Sequence, residues 1–215
     1  MKIKAIGFDL DGTLYPYTPE IHKRVRNKIY EKISKFYNIP ENKAEELFEK
    51  AYLETSSGHR SIERISEVYE KEIGKRDLIQ EALEEADILD MINPNPALRN
   101  MLTRLSQTKS LDIITGSEFE LARKKLTKIG IPENTFEYFL SLNNGSKTTG
   151  GKYLKWIQLR ELNPKQLLYI GDNNKQDVDA PKSLGIKTCI IGKYENADFQ
   201  ISNILDLENI LNKTH

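Results

Sequence analysis

Short apolar runs that alternate with amphipathic segments dominate the start and the second half of the chain. Apolar, β-branched and aromatic residues dominate positions 3–8, 111–114, 167–171 and 187–191. This alternation predicts an α/β fold, a Rossmann-like doubly wound parallel sheet with helices on both faces. Further predicted elements are helices at 97–107, 118–129, 153–162, 178–184 and 205–211, and short strands at 136–142 and 199–201. Ligands in such sheets bind beyond the carboxyl ends of the strands.

Residues 16–90 carry only helical patterns. Thr18 followed by Pro19 is a typical start of a helix, and the apolar residues after it recur at three- and four-residue spacing as one stripe. Further helices are predicted at 61–73 and 76–86. We therefore expect a core domain of residues 1–15 and 91–215, with an all-helical domain of residues 16–90 inserted in it. The inserted helices are expected to cover the site of the core domain. The alternative is that they form an independent helical bundle.

The charge balance restricts the partners that the chain is expected to have. It contains 32 Lys and Arg and 32 Asp and Glu residues, so its formal net charge is zero. A basic surface for a nucleic acid polymer is not indicated. The sequence has no apolar stretch of membrane-spanning length and no signal-peptide pattern at its start, so we expect a soluble, cytoplasmic monomer or homodimer without a membrane partner.

The first apolar run ends in a pair of carboxylates. Asp9-Leu10-Asp11-Gly12-Thr13-Leu14 follows the run directly. Residues i and i+2 at the exit of a strand project towards the same space, and Gly12 lets the backbone approach a ligand closely and offers its N–H group. This geometry suits a phosphate group and a metal ion, although a pair of acids also occurs in solvated turns and helix caps.

Two later strands also end in polar residues. Thr115-Gly116-Ser117 stands between an apolar run and a helix, where a hydroxyl and free N–H groups hold a phosphoryl oxygen or simply cap the helix. Gly171-Asp172 closes another apolar run, and Asp177 follows five residues later at the start of a helix. A carboxylate that binds Mg²⁺ directly and a second one that orients its surroundings would meet the needs of a magnesium site.

Gathered carboxylates and a phosphate need a cation. Lys147, in Gly145-Ser146-Lys147-Thr148, is the first candidate, and Lys152 is the second. The glycine-rich stretch around them is not a P-loop, because Gly151 stands where that motif needs its lysine.

The four motifs, in this order, resemble those of the haloacid dehalogenase (HAD) superfamily of aspartate-nucleophile phosphatases, in which a helical cap is inserted after the first motif. The resemblance implies that Asp9 is the nucleophile and Asp11 the general acid and base. It implies that Gly12, Thr115, Gly116 and Lys147 bind phosphate. It also implies that Asp9, Asp11 through its backbone carbonyl, and Asp172 hold Mg²⁺ with support from Asp177.

The resemblance leaves the substrate open. It implies hydrolysis of a small phosphorylated metabolite, such as a nucleotide 5′-monophosphate, phosphoglycolate or a sugar phosphate, through an aspartyl-phosphate. His59 and Arg60, in a polar break predicted between two cap helices, are candidates for substrate contacts, with a plain solvent loop as the alternative. A phosphosugar mutase or a catalytically silent phospho-ligand-binding protein would carry the same motifs.

Overall fold

The computed structural model describes residues 2–55, 58–69 and 78–213. The chain divides into two compact units. One contains the residues up to Tyr17 and those from Ile92 onwards, and the other contains Thr18–Met91. The sequence placed the inserted segment at 16–90.

The first unit is built on a six-stranded parallel sheet, which confirms the predicted fold class. Its strands are β1 (Ala5–Phe8), β2 (Ser110–Ile114), β3 (Tyr138–Leu140), β4 (Leu167–Gly171), β5 (Lys187–Ile191) and β6 (Phe199–Ile201). They lie in the order β3-β2-β1-β4-β5-β6, and every neighbouring pair is parallel. This is the Rossmann-like strand order, in which the chain switches direction across the sheet between β1 and β4.

The central strands are apolar throughout because helices cover both faces of the sheet. All residues of β1 and β4 are buried. Leu167 and Tyr169 of β4 belong to a cluster with Tyr153 and Trp156, and the intervening side chains of β4 point to the opposite face. Trp156 is thus a core residue.

Five α-helices accompany the sheet among the residues that the structure describes. They are α5 (Pro96–Ser106), α6 (Phe119–Ile129), α7 (Gly151–Arg160), α8 (Ala180–Ser183) and α9 (Leu207–Lys213). The helix predicted at 178–184 is confirmed in part, because α8 lies within that span, but its predicted start is wrong. The chain instead forms a π-helical turn at Asn174–Asp179 that continues into α8. Pro181 in the first turn of α8 has no N–H group to extend the preceding hydrogen-bond pattern.

The second unit contains four described helices, α1 (Pro19–Tyr37), α2 (Glu41–Thr55), α3 (Gly58–Tyr69) and α4 (Leu78–Glu85). Thr18 caps α1 as predicted, since its hydroxyl accepts a hydrogen bond from the Ile21 N–H group. The predicted ends of the helices at 61–73 and 76–86 fall in part on residues 70–77, outside the described residues. Lys32 of α1 forms ion pairs with Glu81 and Glu85 of α4, which link the two helices.

Candidate active site

Three adjacent strands deliver the predicted site residues to one edge of the sheet. β1 pairs with β2 on one side and with β4 on the other, with Phe8 aligned to Ile113 and Ile170. Asp9, Thr115 and Asp172 each follow directly on one of these strands. The site is therefore centred on β1, next to the point where the strand order reverses.

Asp9 is buried and faces a lysine. Its N–H group donates to the Ile170 carbonyl over 2.8 Å, which fixes the backbone, and one carboxylate oxygen lies 2.9 Å from Lys147 Nζ. Burial raises the pKa of Asp9 to about 7 by removing water from the charged form. Lys147 opposes this shift, and the negative charge of Asp177 adds to it. Asp9 thus depends on nearby positive charge to stay ionised.

Lys147 bridges two buried carboxylates. Its Nζ lies 2.9 Å from Asp9 Oδ1 and 2.5 Å from Asp177 Oδ1, and the side chain is almost completely buried. Burial alone would lower the pKa of Lys147, but the two carboxylates outweigh it and hold the pKa well above its usual value. Lys152 is placed differently, because its Nζ donates to the Thr115 carbonyl over 2.5 Å. Of the two candidate lysines, Lys147 is the one that contacts Asp9.

Asp177 is held from several sides. One carboxylate oxygen contacts Lys147, and the other accepts the N–H groups of Asp172 and Asn173 over 3.1 and 2.9 Å. The absence of a side chain at Gly171 makes this possible, because a Cβ there would lie 2.3 Å from Asp177 Cγ. Asp177 therefore orients the loop that carries Asp172.

Asp172 lies against the backbone of Gly12. A Cβ at Gly12 would be 2.2 Å from Asp172 Oδ2, and the φ angle of +77° also favours glycine. Although Asp172 is exposed at the surface, the loss of water around its carboxyl group raises its pKa to about 6, and the charge of Asp177 contributes to the rise. Glycine at position 12 thus lets the loops after β1 and β4 come together.

The donor set fits a hard divalent cation. Carboxylate oxygens of Asp9, Asp172 and Asp177 all lie within 4.8 Å of one another. A set made only of oxygen atoms is what Mg²⁺ prefers in proteins. Both oxygens of Asp177 already have protein partners, so this residue is suited to supporting the ligands rather than to binding the ion.

The predicted phosphate-binding residues after β2 differ in their surroundings. Thr115 is buried, and its hydroxyl accepts the Ser117 N–H group over 3.1 Å, which leaves the hydroxyl proton to donate. Gly116 is exposed, and a Cβ placed on it would meet no heavy atom of the described residues within 4 Å. This turn can therefore approach a ligand without obstruction from its neighbours.

Asp11 has partners that the sequence analysis did not identify. Lys125 Nζ donates to Asp11 Oδ1 over 2.5 Å, and the Tyr15 hydroxyl donates to the same oxygen. The Ser117 hydroxyl donates to Oδ2 over 2.7 Å. Burial alone would raise the pKa of Asp11, but Lys125 and these hydrogen bonds outweigh it and hold the pKa below its usual value.

The sequence contained one indication that Lys125 has a specific partner. It lies on the buried stripe of α6, with Ala122, Leu126 and Ile129. A lysine in such a stripe needs a partner. Asp11 could not be chosen as that partner from the sequence, because 114 residues separate the two.

The predicted polar break that contains His59 and Arg60 is wrong at those two positions. α2 runs through Thr55, and α3 begins at Gly58, so the backbone at both residues is helical. Their side chains lie outside the described part of the structure, as do residues 56 and 57. Their role in substrate binding stays a prediction.

None of the described helices combines the length and apolar content that a membrane span requires.

The chain is similar in structure to proteins that differ in their described activities. A HAD phosphatase from Thermococcus onnurineus matches with a TM-score of 0.69 and 24% identity, over 97% of this chain and 98% of that one. A β-phosphoglucomutase from Clostridium difficile matches with a TM-score of 0.66 and 20% identity, over 99% of this chain and 98% of that one. A 2-haloacid dehalogenase from Pseudomonas syringae pv. Tomato DC3000 matches with a TM-score of 0.60 and 21% identity, over 99% of this chain and 100% of that one. At these identities the similarity shows a shared fold.

A family model covers the whole span from β1 to β5. The model of the haloacid dehalogenase-like hydrolases matches residues 6–191. The match includes all four motif regions and the inserted helical unit. The chain therefore belongs to the haloacid dehalogenase-like hydrolases.

Proposed function

We propose that this protein is a Mg²⁺-dependent phosphatase that hydrolyses a small phosphate monoester through an aspartyl-phosphate. The observation that carries the proposal is the pair of carboxylates after β1. Asp9 contacts Lys147, whereas Asp11 is held by Lys125, Ser117 and Tyr15. Two acids in such different surroundings are suited to different roles.

In the first step, a carboxylate oxygen of Asp9 attacks phosphorus while the bond from phosphorus to the leaving oxygen breaks. This step needs the protonated form of Asp11, which Lys125 disfavours in the ligand-free protein and which the negative charge of a bound phosphate would favour. In that form the Asp11 carboxyl group gives its proton to the leaving oxygen, so the product is an alcohol and Asp11 becomes ionised. Lys147 would offset negative charge next to Asp9, and the Thr115 hydroxyl and the Gly116 N–H group would hold phosphoryl oxygens.

In the second step, water attacks phosphorus and the bond to Asp9 breaks. Asp11 takes one proton from the water, which restores its acid form and releases inorganic phosphate. A halide leaves carbon without needing a proton, so the presence of an acid at position 11 favours phosphate ester hydrolysis over dehalogenation.

Asp9, the backbone carbonyl of Asp11, and Asp172 would hold Mg²⁺, with Asp177 in support. When bound, the ion supplies electrostatic stabilisation of the phosphoryl group. The chain's own contribution is to fix the carboxylates of Asp9, Asp172 and Asp177 close together, through Gly12 and through the hydrogen bonds to Asp177.

The substrate class follows from the family and remains broad. Nucleotide 5′-monophosphates, phosphoglycolate and sugar phosphates are the candidates. The helical unit is inserted directly after the first motif, where a cap is found in the family. We assign to it the selection of the substrate, with His59 and Arg60 as the residues to vary first.

The test is phosphate release from p-nitrophenyl phosphate with Mg²⁺ and with a chelator, followed by a panel of the candidate substrates. Asp9→Asn should abolish release, and mass spectrometry of acid-quenched wild-type enzyme should find phosphate on the peptide that contains Asp9. Asp206→Asn is the matched control, because Asp206 only accepts a hydrogen bond in a capping turn before α9 and asparagine keeps that acceptor.

Other results would replace the proposal with a named alternative. Phosphoryl transfer that depends on a sugar bisphosphate would identify a mutase, and halide release from a 2-haloacid would identify a dehalogenase. Binding of phosphorylated ligands without turnover would identify a silent binding protein.

A further inference from the structure

A closed set of hydrogen bonds fixes the Asp11 carboxylate. Lys125 Nζ donates to Asp11 Oδ1 over 2.5 Å and to Ser117 Oγ over 3.0 Å, and Ser117 Oγ donates to Asp11 Oδ2 over 2.7 Å. The three groups form a triangle in which each contacts the other two. Both oxygens of the carboxylate are engaged, so its rotation about the Cβ–Cγ bond is restricted.

The support for this triangle is rigid. Glu118 caps α6 by accepting the N–H groups of Glu120 and Leu121. The Ser117 carbonyl accepts the Leu142 N–H group over 3.0 Å, which ties the turn before α6 to the segment after β3. Side chains on a helix point back towards its N-terminus, so Lys125 reaches Ser117 from two turns along α6.

Burying the Lys125 side chain in this position costs free energy. Its side chain is only 4% exposed, and it shares its helix face with the apolar residues Ala122, Leu126 and Ile129. An apolar residue there would avoid the cost of burying an ammonium group and the entropy lost by a long side chain. What Lys125 adds is a fixed position for Asp11.

We propose that Lys125 is a positioning residue that holds Asp11 where its proton reaches the leaving oxygen of the substrate. The inference rests on the proposed phosphatase function and adds a residue to it. In the step concerned, the bond from phosphorus to the leaving oxygen breaks and the Asp11 proton passes to that oxygen. A strongly basic alkoxide needs this proton, whereas p-nitrophenolate is a stable anion and leaves without it.

A loss of activity that depends on the leaving group therefore indicates a misplaced acid, whereas an equal loss with every substrate indicates a general disturbance of the active site. The experiment measures kcat/KM with Mg²⁺ for p-nitrophenyl phosphate, phenyl phosphate and an alkyl phosphate, since kcat/KM reports the steps up to the first phosphoryl transfer. For Lys125→Met, we expect a loss on the order of 10²-fold with the alkyl phosphate and less than about tenfold with p-nitrophenyl phosphate. Lys125→Arg should restore part of the alkyl phosphate activity.

Lys124→Met is the matched control, because Lys124 is the exposed neighbour on the same helix. Its profile across the three substrates should equal that of wild type. Ser117→Ala removes a second side of the triangle while Lys125 stays, and it should show the same dependence on the leaving group in a weaker form. This variant and Lys125→Arg carry the test if thermal melting shows that Lys125→Met does not fold.

A double-mutant cycle with Asp11→Asn tests whether Lys125 acts through Asp11. Lys125→Met should cause no further loss that depends on the leaving group once Asp11 is replaced. An equal loss across all three substrates in folded variants, or an undiminished additional loss in the Asp11→Asn background, would overturn the inference while leaving the phosphatase function intact. Absence of phosphate release by the wild-type enzyme would overturn the proposed function and this inference with it.

Discussion

The Cα atom of Gly171 faces the carboxyl group of Asp177 so closely that a Cβ at position 171 would lie 2.3 Å from Asp177 Cγ. Real Cβ atoms do not make contacts of this length, so one of the two must move if a side chain is added. Asp177 supports Asp172 and contacts Lys147. The last residue of β4 therefore controls the position of the acidic groups after it.

Gly171→Ala should displace Asp177 and reduce phosphatase activity by about 10²-fold, because a small misplacement of supporting groups has large effects on catalysis. It should also raise the Mg²⁺ concentration needed for half-maximal activity. Gly151→Ala is the control, because a Cβ at that first residue of α7 would meet nothing closer than 3.9 Å. Unchanged activity and Mg²⁺ dependence in Gly171→Ala would show that Asp177 is not needed in this position.

Lys147→Met should be the most damaging lysine substitution in the site. It leaves Asp9 and Asp177 buried without the cation between them. We expect activity to fall by on the order of 10²- to 10³-fold. Removal of one partner from a buried ion pair also costs about 3–5 kcal/mol of unfolding free energy. Activity assays and chemical denaturation measure the two effects.

Lys152→Met is the matched comparison. It removes a hydrogen bond to the Thr115 carbonyl, whereas the lysine in contact with Asp9 is Lys147. Its loss of activity should be clearly smaller than that of Lys147→Met. The reverse order would assign the phosphate-binding role to Lys152.

The stability of the protein should depend on pH through Lys152. Burial lowers the pKa of Lys152 from 10.5 to about 8, and the charge of Lys147 contributes. Between these two pH values the unfolded chain binds the proton and the folded protein releases it, so stability rises with pH in this window. The free energy of unfolding of wild type, measured relative to Lys152→Met, should therefore increase from pH 8 to pH 10, by at most about 1.4 kcal/mol per pH unit. A flat difference would contradict the lowered pKa.

A buried ion pair away from the motif residues should matter for stability rather than for chemistry. Asp112 of β2 is completely buried and accepts hydrogen bonds from Arg160 and from the Trp156 indole. Arg160→Met should cost about 3–5 kcal/mol of unfolding free energy because it leaves the buried Asp112 carboxylate without a positive charge next to it. Arg123→Met breaks the exposed pair with Glu133 and should cost less than about 1 kcal/mol. Similar costs for the two variants would argue against a special role for the buried pair.

The strands that carry the motifs could be predicted from sequence with good accuracy. β4 has the predicted bounds, Leu167–Gly171, because a run of buried apolar residues is closed there by glycine and an acid. β3 is shorter than the predicted 136–142, since a 3₁₀ turn precedes it and another follows it. Local patterns identify an element more securely than its ends.

The parts of the site that the sequence did not disclose depend on distant contacts. The first motif gave Asp9 and Asp11 as candidates because they lie two positions apart at the end of one strand. The choice between Lys147 and Lys152 needed the path of the loop before α7, and the contact of Lys125 with Asp11 needed the packing of α6 near β1. Neither path is encoded in a periodic pattern or in a spacing.

The central position of β1 has a consequence for the order in which the protein acquires its structure. Ala5 is synthesised before both of its sheet partners, Ser110 and Leu167. Pairings between such distant segments form late, because long loops must close first. Asp9 therefore leaves the ribosome long before β4, which flanks β1, and a nascent chain that stops short of β4 lacks both a complete sheet and Asp172. Release of a truncated product would yield a chain with its first motif intact and no means of using it.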